Sequence, residues 1–420
     1  MGRVENSSSG VAQNRGFAAD ELRRHNLESV LNYLHLTGPA SRSELTSITT
    51  LNRSTIADLV AELTMLGLVE ETPGTTSTGP GRPSPIVAVR PGGVAVLAVE
   101  IAVDSVAVAT VGLGGHIYNN VRVARPRVQF SPEVTIENIA KLAGPLLDSL
   151  PAQGTYFAGV GVAAAGVVRR SDGLVVVSPN LGWEDVPLAK KLAKTLDIER
   201  PISVANEADL AAVAEHRRGG RPGINHLIYV SGEVGLGTGV ILDGEPLLGL
   251  AGYAGEAGHT LVNPEGRKCR CGAIGCWETE AGEAALLRHA GLEAANTGTD
   301  VLESIYERAR AGDPEVLAAI AEIGRWLGDG IGNLINTFNP ELIALGGMYH
   351  RFFEFLEGPA NEAARRRALA APFSMAVITK SALGNDAPLI GAAELMLSDV
   401  IANPASISEV ADSRGITSDH

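Results

Sequence analysis

The 420-residue chain is 45% hydrophobic and 20% charged, a composition that excludes fibrous or wholly disordered protein and is long enough for two or three domains. Its 34 basic and 48 acidic residues leave a net charge of −14, unevenly placed: the first ninety residues carry eight Arg and no Lys against nine acids, and the remainder carries −13. An acidic body repels nucleic acid whereas the near-neutral front segment does not, and the longest apolar stretch, Val94 to Gly115, is interrupted by Glu100 and Asp104 before it reaches membrane length.

The segment Met1 to Ser8 lacks the apolar core of a secretory signal, so a cytoplasmic location is expected. Residues 1–16 are rich in Ser, Gly and Asn and are expected to be disordered. Helix signals follow from about Asp20, with Leu27, Val30, Leu31 and Leu34 on one face until Thr37-Gly38-Pro39 stops them. Ser41-x-x-Glu44 reads as a capping box for a short second helix. A third helix places Ile56, Leu59, Val60 and Leu63 on one face and ends at Gly67. Two short strands, Leu68–Glu71 and Ile86–Val89, flank a Gly/Pro/Ser/Thr-rich connection. Three helices and a hairpin within 17–90 predict a winged helix-turn-helix whose third helix enters the major groove of double-stranded DNA. Its base-reading candidates are Asn52, Arg53, Ser54 and Thr55, with Asp58 one turn on; Arg82 in the wing suits a minor-groove or phosphate contact. A helical dimerisation domain with a charged face is the alternative.

From Val94 onward, strand patterns alternate with helical ones, as in an α/β protein. The hairpin Val94–Glu100 with Ser105–Val111 recurs as His226–Ser231 with Gly237–Leu242, which suggests a duplicated, two-lobed body with a cleft between lobes. All three cysteines fall in one loop, Cys269, Cys271 and Cys276, with His259 just upstream. Three thiolates and an imidazole make a closed tetrahedral shell for structural Zn²⁺, and Gly272 and Gly275 let the loop fold on itself. A disulfide plus a spare thiol, or three inert buried cysteines, remain the alternatives. The stretch 403–420 is expected to be a disordered tail.

Several motifs occur in order: Gly159-Val-Gly-Val-Ala-Ala-Ala-Gly166, Pro179-Asn180-Leu181-Gly182-Trp183, Asn206-Glu207-Ala-Asp209, Gly255-Glu256-Ala-Gly-His259, Cys269-x-Cys-Gly-Ala-Ile-Gly-Cys-Trp-Glu278 and Asn339-Pro-Glu-Leu-Ile-Ala-Leu-Gly346-Gly347. Over about 94–398 the chain thereby resembles the ROK family of repressors, open reading frames and sugar kinases. With the front segment it looks like a ROK transcriptional regulator. The resemblance implies an actin/hexokinase-like α/β fold of two lobes, with a sugar in the cleft contacted by Asn206, Glu207, Glu256, His259 and Glu278, and by Gly166 and Asn180 more weakly. His259 would also ligate zinc, within a zinc loop spanning 259–276.

Active ROK kinases carry Asp-x-Gly-Gly-Thr in the first hairpin; the matching place here reads Glu100-Ile-Ala-Val-Asp104. The second phosphate-facing turn gains Glu233, and the family's catalytic Asp is replaced by Glu207. Carboxylates at these places oppose a polyanionic nucleotide, and an extra methylene misplaces a general base. The expectation is a sugar sensor without kinase activity that takes an unphosphorylated sugar. It would bind a pseudo-palindromic operator as a homodimer or tetramer. The rival is an active ATP-dependent sugar kinase with an appended DNA-binding domain.

Overall fold

A computed structural model describes residues 9–74, 84–127, 130–150, 155–292 and 299–407. The front segment forms helices Ser9–Thr37, Arg42–Thr49 and Arg53–Met65, followed by strands Val69–Thr72 and Ile86–Val89. These strands pair antiparallel, with the short strand Ala40–Ser41 on the other edge of Ile86–Val89. Leu27, Val30, Leu31 and Leu34 of the first helix pack with Leu45, Ile56, Leu59, Val60 and Leu63 into one buried core. The first helix begins at Ser9, within the stretch 1–16 expected to be disordered, and 1–8 lie outside the described residues. Ser41 Oγ accepts from Glu44 N at 3.1 Å, as a capping residue should. The capping box is only half made, because the Glu44 carboxylate accepts from the Tyr33 hydroxyl at 3.4 Å instead.

The body holds two five-stranded sheets of one topology. In the first, strand order is Ile202–Asn206, Tyr156–Ala164, Val94–Ile101, Ser105–Val111, Ile117–Ala124. In the second it is Val377–Lys380, Leu342–Gly347, Leu227–Gly232, Leu236–Leu242, Glu245–Pro246. Each sheet is an antiparallel meander extended on one side by two parallel strands, so the duplication read from the two hairpins extends over whole lobes. The middle strand Val94–Ile101 is buried at every residue, as expected for a sheet covered on both faces. A small three-stranded sheet, Val167–Arg169, Leu174–Ser178 and Trp183–Pro187, caps the first lobe.

Helices Glu207–Arg218 and Ala387–Ala402 pack against one another and against the sheets, the former on the second sheet and the latter on the first. Missing side chains set this closeness: a Cβ on Gly239 would lie 2.2 Å from the Ala208 carbonyl oxygen, and one on Gly391 would lie 2.0 Å from that of Leu210. The last helix ends at Ala402 and a turn follows, with Ser406 N donating to Asn403 O at 3.1 Å. The expected disordered tail from 403 is therefore ordered through Ile407, and 408–420 lie outside the described residues. Among the described residues no helix is long and apolar enough to cross a membrane.

Candidate functional site

The cysteine loop is built by its glycines and two isolated β-bridges, Leu261 with Cys276 and Lys268 with Ile274. Gly275 has φ 74°, and a Cβ there would lie 1.7 Å from the Asn263 carbonyl oxygen, so only glycine closes the loop. The ligand atoms of His259, Cys269, Cys271 and Cys276 all lie within 4.8 Å of one another. Cys269 Sγ is 3.6 Å from His259 Nδ1, and Cys271 Sγ is 3.6 Å from Cys276 Sγ. A tetrahedral shell with metal–sulfur bonds of about 2.3 Å has edges of about 3.8 Å, whereas a disulfide needs about 2.05 Å. The donor set fits a tetrahedral metal and not a disulfide. Burial pushes the Cys269 and Cys276 thiols up, so thiolate formation there needs a cation to offset it.

Glu278, in helix Trp277–Ala281, ties this loop to the cleft. Its Oε1 accepts from Cys269 Sγ at 2.9 Å and lies 3.6 Å from His259 Nδ1. A Cβ on Gly235 would stand 2.9 Å from Glu278 Oε2 and 3.6 Å from Asn180 Nδ2, so both side chains converge on that bare stretch of backbone. Arg270 Nη1 donates to Asn180 Oδ1 at 2.6 Å, a neighbour not singled out in the sequence although it sits between two cysteines. Burial raises the Glu256 carboxyl, with His259 opposing and Glu278 adding to the rise. Asp209 stands at the end of the Asn206-Glu207-Ala-Asp209 motif, to which the sequence assigns no role of its own. Its buried carboxyl rises to about 7 through burial, against the pull of Arg170 and with a further push from Glu256. Glu256, His259, Glu278, Asn180 and Asp209 thus gather in one neighbourhood.

Asn206 and Gly166 also hold the local structure together. Asn206 Oδ1 accepts from the N–H groups of Ala208 and Asp209, at 2.7 and 3.2 Å, and so caps helix Glu207–Arg218. Its Nδ2 donates to the Gly166 carbonyl at 2.9 Å. Gly166 has φ 120°, and a Cβ there would meet Val177 O at 2.6 Å. Only one Asn206 N–H stays available to a ligand.

Glu207 opens the same helix, and its carboxyl is raised well above the usual range by burial and then by Glu233, Glu100 and Asp104. Glu233 is pushed up to about 8, chiefly by burial and then by Glu100. These four acids gather at the turn ends of the two hairpins. Two arginines meet them: Arg122 Nη2 donates to Glu100 at 2.8 Å and to Asp386 at 3.3 Å, and Arg127 pairs with Asp104 at 3.0 Å and with Glu283. Glu283 opens a helix packed in the second lobe, so Arg127 joins the two lobes, while Asp386 stands at the N-cap of the helix that packs on the first sheet.

At the front segment, Asn52 caps the third helix, its Oδ1 accepting from Thr55 N at 2.9 Å, Ser54 Oγ at 2.6 Å and Thr55 Oγ1 at 3.1 Å. Three predicted base readers are therefore bonded to one another, and Arg53 stands exposed beside them. Arg82 lies outside the described residues.

A winged helix-turn-helix fold ahead of a duplicated, two-lobed α/β body with a Cys₃His loop at its cleft defines a regulator built on a sugar-kinase fold. The chain belongs to the ROK family, whose model matches residues 96–399. It is 28% identical over 381 residues to a xylose repressor of Caldicellulosiruptor bescii, covering 87% of this chain and 93% of that protein. It is 31% identical over 316 residues to a glucokinase of Streptomyces coelicolor, covering 71% of this chain and 96% of that enzyme. The fold matches a ROK family transcriptional regulator, a homolog of the E. coli MLC protein, with TM-score 0.74 and 24% identity over 93% of this chain and 100% of that one. The repressor and regulator alignments are long enough to reach into the front segment, and the glucokinase alignment spans a shorter part of the chain.

Proposed function

We propose that this protein is a sugar-responsive, DNA-binding transcriptional repressor of carbohydrate genes that holds an unphosphorylated sugar in its interlobe cleft and does not phosphorylate it. The observation that carries this reading is the acidic cluster of Glu100, Asp104, Glu207 and Glu233 where the family resemblance puts phosphate. Such acids give a nucleotide no positive charge when protonated and repel it when ionised. Raised carboxyls suit a neutral polyol, because protonated and ionised forms together offer donors and acceptors to hydroxyl groups.

Glu256, Glu278, His259 Nε2 and Asn180 would contact the sugar, with Asn206 contributing its remaining N–H and Glu207 facing the hydroxyl that a kinase would phosphorylate. His259 Nδ1 and the three cysteines would hold structural Zn²⁺, whose chemistry there is to fix the loop that presents Glu278 and Arg270. Arg53, with Asn52, Ser54, Thr55 and the wing residue Arg82, would meet the DNA operator, bound in the cytoplasm by a homodimer or tetramer.

Calorimetry with D-xylose, D-glucose and glucose 6-phosphate, together with a coupled ATP-turnover assay, tests this reading. Binding of a neutral sugar with no turnover supports it. Tighter binding of the 6-phosphate would sink the neutral-ligand assignment, and turnover would establish the rival kinase reading that the glucokinase relative keeps in play.

A further inference from the structure

A buried charged cluster joins the winged-helix segment to the body, away from the cleft. Glu394 lies in helix Ala387–Ala402 and His35 in the last turn of helix Ser9–Thr37, each 1% exposed. His35 Nε2 stands 3.0 Å from Glu394 Oε2, while the Gly114 N–H donates to His35 Nδ1 at 2.9 Å. Because Nδ1 accepts, the ring proton belongs on Nε2, facing the carboxylate. Arg218 donates from Nε to Glu394 Oε1 and from Nη1 to the His35 carbonyl, both at 2.8 Å. Arg217 adds a bond to Glu394 Oε2 at 3.3 Å. Burial favours the neutral acid, yet His35 and the two arginines hold the Glu394 carboxyl down at about 2.

The arginines end the helix whose beginning faces the cleft. Helix Glu207–Arg218 is capped by Asn206 and carries Glu207 and Asp209 in its first turn; its twelve residues span roughly 18 Å. It is buried continuously from Ala208 to Glu215. Glu215 accepts from Ala382 N at 3.1 Å and Leu383 N at 2.9 Å, which ties it to the turn that leads into helix Ala387–Ala402. The covalent route is less free to transmit motion. Arg90 N donates to Leu68 O at 2.8 Å, and the Tyr118 hydroxyl accepts from Gly92 N at 2.9 Å and donates to Val94 O at 3.2 Å. Beyond the cluster, the helix that bears His35 shares its core with Ile56, Leu59 and Leu63 of the DNA-facing helix.

The geometry points to helix Glu207–Arg218 as a relay, with the His35–Glu394–Arg218 cluster as the latch through which the state of the cleft reaches the DNA-facing helix. This rests on the sensing function proposed above and adds the route. A rigid buried element with functional groups at both ends couples them when it has two placements that each end can bias.

Hydrogen exchange of amides in 27–37, measured on the full chain, tests the relay in two arms. Without ligand, Asn206→Ala releases the cleft end of the helix and is expected to speed exchange at 27–37 at least about threefold. In a chain that also carries Arg218→Ala, already fast at 27–37, Asn206→Ala should add nothing. Glu394→Gln, which keeps the shape but removes the charge and turns one acceptor oxygen into a donor, should reproduce Arg218→Ala and exposes any simple failure to fold. With D-xylose or D-glucose at saturation, wild-type exchange at 27–37 should change, whereas the latch variants should bind the same sugar within about threefold of wild type yet show no change there. Independent, multiplicative effects of Asn206→Ala and the latch substitutions, or latch variants that pass on the sugar response unaltered, overturn the relay. If neither sugar binds, the sensing reading loses its tested ligands, and the ligand-free cycle still decides the relay.

Discussion

Asp209→Asn probes the electrostatics of the cleft through the pH dependence of stability. The Asp209 carboxyl rises from 3.8 to about 7, with burial as the main cause. Between those values the folded chain keeps a proton that the unfolded chain has released, so stability falls as pH climbs through the window. Each pH unit carries at most about 1.4 kcal/mol, and the displacement of about 3 units makes the total on the order of 4 kcal/mol as an upper bound. Asparagine matches the shape and does not titrate. Relative to wild type, the variant should therefore gain on the order of 1 kcal/mol per pH unit between about pH 4 and pH 7, and then level off. Urea unfolding followed by tryptophan fluorescence across that range reads the difference directly. The other raised carboxyls, and His35 with its lowered pKa and opposite slope, are common to both chains and cancel. Parallel stability–pH profiles for the two chains would refute the assignment of a buried, protonated Asp209.

The remaining predictions concern the loop, the cleft backbone and the DNA-facing helix. Chelator dialysis or Cys276→Ser should remove bound zinc and weaken sugar binding by about tenfold or more, while far-UV circular dichroism changes little, because the loop positions Glu278 and Arg270 rather than holding the lobes together; unchanged calorimetric affinity in metal-free protein would count against that role. Gly235→Ala puts a Cβ 2.9 Å from Glu278 Oε2, so the carboxylate must shift. We expect a sugar affinity loss of about tenfold with a melting temperature within a few degrees of wild type. Asn52→Ala removes the cap of the third helix and should cost about 1 kcal/mol in stability. Gel-shift measurements should show operator affinity falling as well, since Ser54 and Thr55 lose the acceptor that orients them; full affinity would show that their present rotamers are irrelevant to DNA contact.

Elements governed by local chemistry were legible in the sequence. The Leu27-Val30-Leu31-Leu34 stripe, the Ser41 cap, the paired hairpins and the Cys/His loop each depend on residues close together in the chain, none of these groupings spanning more than the stretch from His259 to Cys276, and each appears where the spacing placed it. Long-range pairing was not legible. His35 sits one helical turn beyond Leu31 and reads as an ordinary polar end to an apolar stripe, because nothing near it announces a partner 359 residues away. Arg217 and Arg218 read as favourable charges at a helix C-terminus, which they are, and that local reason hides their bonds to Glu394. Asn206 shows the converse. A motif position marks it for a ligand, yet three of its four hydrogen-bonding sites are satisfied by Ala208, Asp209 and Gly166, a use that only the assembled first lobe reveals.

The start of helix Glu207–Arg218 bears on the neutral ligand proposed for this cleft. A helix N-terminus offers free N–H groups and a positive dipole end, the ordinary recipe for holding phosphate. Here the N–H groups of Ala208 and Asp209 are taken by Asn206 Oδ1, and the first turn carries two acids, Glu207 and Asp209. An incoming phosphate would meet occupied donors and acids that offer it no positive charge and that repel it once ionised. The same acids are raised in pKa because they are buried and face Glu233, Glu100 and Glu256, so the folded state favours their protonated forms. A carboxylic acid donates one hydrogen bond and accepts others, which matches a sugar hydroxyl, whereas an ionised pair at close range repels itself and draws water into the cleft. Sugar affinity should therefore decline as pH rises past about 7 to 8, where Asp209 and then Glu233 ionise. Calorimetric titration of the best-binding sugar at successive pH values measures this. A pH-independent affinity would mean that the ligand never touches the acidic end of this helix.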